Sequence, residues 1–398
     1  MPTDSAAPPI HPWRVANVVA QIAFGLFAMT ICVPSMQEWG AHFAAAPATV
    51  QLTFSAYVLG LGALGVLYGP LSDRHGRRRI LLIGLALAAA GSILAALATD
   101  IDALIIARAV QGAGGAAGLV AGRAMVQDLF AGPQRTRVMA YVGMAMGLCP
   151  PAATIIGGQL HVRFGWQANF VLMAGLAALL MAAAWRGVPA QAPRQATQTH
   201  WLHDMALAYR RLLADRAFIL NALVLSLTVA VFYAFLAGAP LVLRSFGIGP
   251  DGVGWVIMVV PLSYIAGNYA TSRLAHRLGE RWMMAAGQAF AVGGIAVMLA
   301  FGLAGAKTAL TFALPLVLLG IGHGFLTPIC LARAVGLVPA LAGAGAAFAS
   351  LMQQLIGALG GYAVGWVSHE GQVNLALLML GFTLCAAVVQ GVMFRRGG

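Results

Sequence analysis

Twelve apolar runs of about 20 residues each divide the sequence, and they constrain its fold more than any other feature. They lie at about 15–37, 49–71, 80–98, 103–125, 138–160, 167–186, 217–242, 252–272, 282–304, 309–333, 341–367 and 373–394. Roughly 20 residues at 1.5 Å per residue match the 30 Å of hydrocarbon in a bilayer. Only 9% of the residues are charged and 61% are hydrophobic, too few charges to coat a soluble protein of 398 residues. The expected fold is an all-α integral membrane protein of twelve transmembrane helices.

The formal charge of +12 invites a nucleic-acid partner, but the basic residues sit between apolar runs and not on one soluble face. The partner this pattern implies is the lipid bilayer, with no nucleic acid. With the N-terminus in the cytoplasm, 19 of the 23 Lys and Arg residues fall on the inner side, Arg74, Arg77, Arg78 and Arg79 among them. Arg163, Arg244 and Lys307 fall outside, and Arg108 lies within a span. Positive charge collects on the cytoplasmic side, so both termini are expected there. The first 13 residues do not form a signal peptide, and the first apolar run is expected to target the chain to the membrane. Cys32, Cys149, Cys330 and Cys385 all lie in spans, at spacings that match no metal site.

The longest polar segment, 187–216, reads as a cytoplasmic linker between two six-helix bundles, 15–186 and 217–394, with a short amphipathic helix near 203–213. The two bundles look duplicated. Leu71–Gly76 recurs as Leu274–Gly279, Pro34 as Pro240, Gly157-Gly158 as Gly360-Gly361, and Gly112/Gly114 as Gly320/Gly322, at offsets of 203 to 208. Paired repeats are how many carriers build a central site that opens to alternate sides.

Three motifs carry further meaning. Gly69-Pro-Leu-Ser-Asp73-Arg74-His-Gly76-Arg77-Arg78-Arg79 joins spans 2 and 3. There Gly69 permits close helix approach, Gly76 a tight turn, and Asp73 is a carboxylate at a helix end that an arginine or a helix N-terminus can hold. Arg108-Ala-Val-Gln111-Gly112 places a cation inside span 4, where it faces a cavity or partner or snorkels outward. Gly143-Met-Ala-Met-Gly147-Leu-Cys-Pro150-Pro151 with Gly157-Gly158 lets span 5 kink and pack closely. No catalytic constellation and no nucleotide-binding loop occurs, so neither an enzyme nor an ATP-driven pump is expected, and no cofactor or metal is implied.

The span 2–3 loop resembles the signature of the major facilitator superfamily. Spans 5, 7 (Tyr233–Pro240) and 11 (Gly345–Ala358), with Arg123–Asp128, resemble its Bcr/CflA type, the bicyclomycin/chloramphenicol-resistance drug:proton antiporters. The resemblance implies two pseudo-symmetric bundles in a bacterial inner membrane, acting as a monomer that exchanges protons for a small, largely apolar drug or metabolite. It implies gating by Gly69, Asp73, Arg74, Gly76, Arg77 and Asp128, proton coupling by Arg108, and helix packing by Gly147, Pro150, Gly157 and Gly158. One departure stands out: the acid that this branch carries in span 1 is Thr30 here, and no Asp or Glu lies deep in any span. His323 is the titratable neutral side chain deep in the membrane, open to coupling, substrate contact or plain packing. The substrate cavity is expected near the midplane, lined from Gln21, Thr30, Tyr57, Met144, Met146, Phe232, Tyr233, Phe235, Tyr264, Asn268, Gln353 and Gln354. A metabolite uniporter or symporter of the same fold stays open as an alternative, with a channel or receptor behind it.

Overall fold

The computed structural model describes residues 12–189, 201–337 and 341–395. Part of the expected linker, with Pro193 and Arg194, lies outside the described residues, as does Arg396. Among the described residues there is no strand, and twelve helices are long and apolar enough to cross a membrane. The first six spans are α1 (Pro12–Thr30) with α2 (Met36–His42), α3 (Pro47–His75), α4 (Arg77–Ala96), α5 (Ile101–Leu129), α6 (Gly132–Phe164) and α7 (Gln167–Gly187). After α8 (Trp201–Ala214) come α9 (Arg216–Ser245), α10 (Pro250–Ile257) with α11 (Val259–Leu278), α12 (Glu280–Leu303), α13 (Ala309–Ala313) with α14 (Leu316–Gly336), α15 (Ala342–Ala363) and α16 (Val373–Arg395).

Hydropathy locates these spans but shortens several of them. The run expected at 138–160 is the helix Gly132–Phe164, because backbone hydrogen bonding continues where the side chains turn polar. Three spans that read as continuous are interrupted near Pro34, Pro261 and Pro315. Each proline removes the N–H that the preceding turn needs. The linker helix α8 buries Ala208 and Leu212, the latter in a cluster with Phe218 and Ala349, and leaves Arg210 and Arg211 exposed.

Small residues set the packing within each bundle. A Cβ on Gly112 of α5 would lie 2.0 Å from the Tyr57 carbonyl of α3, on Gly114 2.3 Å from the Ala88 nitrogen of α4, and on Gly118 2.2 Å from the Gln21 carbonyl of α1. In the second bundle α14 is gripped in the same way by α11 at Gly320 and Gly324 and by α12 at Gly322. Without a hydrophobic drive between helices in lipid, such backbone approach supplies the dispersion contact that holds them. The matching turns share their backbone too: Gly76 has φ +87° and Gly279 φ +81°, a region that L side chains avoid.

The bundles meet chiefly through α3 on α15 and α6 on α10. The hydrogen bonds described between them lie toward the arginine-poor end. Gln37 donates to Pro240 O at 2.6 Å, Gln51 to Ala237 O at 3.2 Å and Ser55 to Ala358 O at 2.9 Å. Arg244 donates to the Gln37 carbonyl across the same seam. Farther along, Gly147 approaches Ile265 and Gly62 approaches Gln354. One turn beyond Gly147, toward the arginine-rich end, Gly143 has nothing within 4 Å of a built Cβ. The two bundles are tied at one end and part toward the other.

Candidate functional site

At the arginine-rich end, three of the expected gating residues converge. Gly76 ends α3 and turns the chain directly into α4, so Asp73 and Arg77 flank one tight corner. Arg77 holds Asp73 at 2.5 Å and, through Nε, Asp128 of α5 at 3.1 Å. Its Nη1 donates to Ser72 Oγ at 2.6 Å. The guanidinium thus spends its fork on two carboxylates and a hydroxyl, which fixes the arginine-rich ends of α3, α4 and α5 together. Ser72 is a partner that sequence reasoning passed over, although it sits inside the motif. Gly69 departs from expectation: a Cβ there meets only Val120, at 4.0 Å, so no close helix approach requires glycine.

Near the other end of α5, Arg108 is fully buried. Its Nη1 and Nη2 donate to Ala28 O at 3.0 Å, Met29 O at 3.1 Å and the Gln111 side-chain oxygen. The reason lies in α1. That helix stops at Thr30, ahead of Pro34, which leaves its last carbonyls without helical donors and its negative dipole end unscreened. Arg108 caps that end. The Tyr57 ring lies 4.2 Å from the guanidinium carbon, and the Tyr57 hydroxyl donates to Gly25 O at 2.6 Å. Gln111 passes the network on to Ser92 at 2.8 Å. Every acceptor described around this buried cation is neutral.

The expected cavity residues divide. Tyr57 and Thr30 are buried with their hydroxyls already committed, Thr30 to Leu26 O at 3.0 Å, so neither lines open space. Met144 falls on an exposed stripe with Leu148 and Ile156, whereas Met146, 200° around α6, turns inward to Arg123 with its sulfur 3.4 Å from the guanidinium. Two residues along a helix change the wall, and a sequence without a known rotation does not reveal which face points in. Tyr233 donates to Gln354 at 2.9 Å beside the α3–α15 seam and stacks edge-on against Phe54. Asn268 and Gln353 are half-buried, each bonded only to its own helix, at Tyr264 O and Ala349 O. His323 is buried in α14 with no hydrogen-bond partner among the described residues.

In α6 the helix runs unbroken through Pro150 and Pro151, and Thr154 donates to both of their carbonyls at 3.0 Å. A Cβ on Gly157 would lie 1.8 Å from Ile31 O, and on Gly158 2.2 Å from Pro250 O. Gly158 thus marks where α6 crosses to the second bundle. Glu38 accepts at 2.9 Å from the buried ring of His161, whose other nitrogen meets Ser35 at 2.8 Å. Among the described residues no group of three or more His, Cys, Asp or Glu is placed to hold a metal ion.

Comparison with known proteins agrees with this architecture. The model of the Major Facilitator Superfamily matches residues 18–247 and 223–397. Multidrug resistance protein D of Escherichia coli K12 is 26% identical over 370 residues, covering 91% of each chain. A chloramphenicol resistance protein of Pseudomonas aeruginosa is 26% identical over 318 residues, 78% of this chain and 75% of its own. Among solved structures, a bacterial homolog of the human lysosomal transporter Spinster, in an inward-facing and unoccupied conformation, superposes with a TM-score of 0.79 at 15% identity, over 97% of this chain and 98% of that one.

Proposed function

The chain belongs to the Major Facilitator Superfamily, with relatives among resistance proteins of the Bcr/CflA type, and from that membership we propose that it exports small, largely apolar drugs or metabolites across a bacterial inner membrane in exchange for protons. The arginine-rich end faces the cytoplasm in this reading, with both termini there, and the protein works as a monomer.

One observation carries it. The two bundles are joined at the arginine-poor end by a few hydrogen bonds to backbone carbonyls, and they part at the other end. Hydrogen bonds of this kind exchange their partners for water at small net cost. Backbone contact between the bundles, at Gly158 on Pro250 and at Gly365 on Ala48, gathers at that same arginine-poor end, whereas inside each bundle it also runs through the middle of the helices, as at Gly112, Gly114 and Gly322. Tightly packed bundles joined at one end suit a rocker-switch that exposes one central site to alternate sides. Arg77, Asp73 and Asp128, with Arg74 and Gly76, keep the arginine-rich ends of the first bundle in one piece as it rocks, and the part expected of Gly69 falls away. Gly157 and Gly158 hold α6 against α1 and α10. Gly147 and Pro150 shape the same helix. Tyr233, Gln353, Gln354 and Asn268 contribute to the substrate site.

Proton coupling falls to Arg108 and His323. Arg108, which caps the last carbonyls of α1, has the part of biasing the α1 break, and His323 is the group that changes charge. A second reading has its own support. With Thr30 in place of an acid and only neutral acceptors around Arg108, a uniporter or symporter of a specific metabolite is the next candidate.

The test is proton movement in proteoliposomes under an imposed pH gradient, with chloramphenicol-like, cationic and neutral compounds. Release of protons on adding a compound supports exchange. Flux that ignores the gradient removes the antiport reading and leaves the uniporter.

A further inference from the structure

Arg123 stands apart from the other arginines of its end. It lies six residues before the end of α5, about 9 Å along the helix from that end. That helix is gripped by α1, α3 and α4 at Gly112, Gly114 and Gly118, and beyond these contacts Arg123 reaches toward α6. Arg123 is exposed there, and its described contact is the thioether of Met146, 3.4 Å away on α6. A thioether is a weak acceptor, and a guanidinium carries five N–H donors in a rigid fork. The nearest carboxylate along the helix, Asp128, is held by Arg77 at 3.1 Å. One turn before Met146 on the same face of α6, Gly143 borders open space, and Gly147 closes that space against Ile265 of the second bundle. A cation with unspent donors therefore forms part of the wall of the vestibule. In a wall with no described carboxylate partner, it lacks an oxyanion.

We propose that Arg123 is a binding residue for the oxyanion of an amphiphilic ligand, a carboxylate or its equivalent, whose apolar body rests along α6 near Met146. The inference rests on the transport reading and sharpens it: molecules carrying one anionic group on an apolar frame bind best, neutral ones less well.

Equilibrium binding of 2-naphthoate and of neutral 2-naphthamide to the full-length protein in phosphatidylcholine nanodiscs tests this. Arg123→Gln is expected to weaken naphthoate about tenfold or more, the loss typical of a hydrogen bond to a charged group, and to leave naphthamide within about twofold. Arg123→Lys keeps the charge and should recover most of the naphthoate affinity. An equal loss for both ligands, or no loss for naphthoate, overturns the proposal. So does the lipid outcome: no Arg123-dependent naphthoate binding, with phosphatidylglycerol retained by the native protein and lost from Arg123→Gln. Flux in proteoliposomes separates the two readings. Arg123-dependent binding without flux of any compound would sink the transport reading and leave the site. Flux with no Arg123 effect on binding does the reverse.

Discussion

The corners at the arginine-rich end of the two bundles carry the same ion pair with its signs exchanged. In the first bundle Arg77, just past the Gly76 turn, meets Asp128 at the end of α5, at 3.1 Å. In the second bundle Glu280, just past the Gly279 turn, meets Arg333 near the end of α14, at 3.7 Å. The offsets, 203 and 205, are those of the repeat. What duplication preserved is the backbone and a tie between two helix ends; which side holds the cation was free to change. The strengths differ as well. Arg77 and Asp128 are 10% and 17% exposed, while Glu280 is 55% exposed. Water screens the second pair and leaves it little net energy, whereas the first is partly desolvated and leaves a buried charge if broken. The asymmetry continues deeper: Arg108, capping α1, has an apolar counterpart, Leu316, at an offset of 208.

The largest effect should come from giving the first bundle the second bundle's residue at that place. Arg108→Leu strips the donors from Ala28 O, Met29 O and Gln111 and is expected to cost about 3 kcal/mol or more, read as loss of thermal stability in detergent. A drop too small to measure would mean that water caps α1 equally well.

Arg77→Ala should cost about 2 kcal/mol, because Asp73, Asp128 and Ser72 all lose their partner, and Glu280→Ala about 0.5 kcal/mol or less. Equal effects would erase the difference in burial. Exchanging the charges of the weaker pair, Glu280→Arg with Arg333→Glu, should restore whatever either single change loses, as a double-mutant cycle would report.

Backbone contacts should respond alike in both bundles. Gly157→Ala and Gly360→Ala each drive a Cβ into a carbonyl, at 1.8 Å from Ile31 O and 2.5 Å from Ala230 O. Each should cost about 1–3 kcal/mol. At the turns, Gly76→Ala and Gly279→Ala should each cost about 1–3 kcal/mol, because a positive φ with an extended ψ is close to a glycine-only conformation. A large difference within either pair would break the symmetry that the repeat implies.

A pH-dependent effect concerns the arginine-poor loops. Partial burial holds the His369 imidazole down to about 4, and its Nε2 has no described partner. A histidine depressed in the folded state contributes stability that is complete above about pH 6.5 and is lost as pH falls toward 4. The melting temperature should drop over that window, and His369→Gln should flatten the profile. His161, bonded to Ser35 and Glu38, is the paired counterpart in the first bundle.

Much of this was legible in sequence. Apolar run length marks out spans whatever packs against them, because the bilayer supplies the environment uniformly. The duplicated glycines and the Asp73–Arg77 corner were readable for a related reason: turn geometry and i,i+4 spacing are local. Interruptions at Pro34, Pro261 and Pro315 were not readable as breaks, since lipid-spanning helices tolerate proline when neighbours satisfy the freed carbonyls. Whether they do depends on the other helices.

Run lengths, proline and glycine positions and the duplicated corner came from the sequence by itself. Only the tertiary structure decided which face of each helix points inward, and hence that Thr30 and Tyr57 are sealed, that Met146 and not Met144 turns in, and that Arg108 meets a helix end in place of an acid. The physical reason is that burial in a membrane protein does not follow polarity: lipid and core are both apolar, so hydropathy fixes depth but leaves rotation to packing.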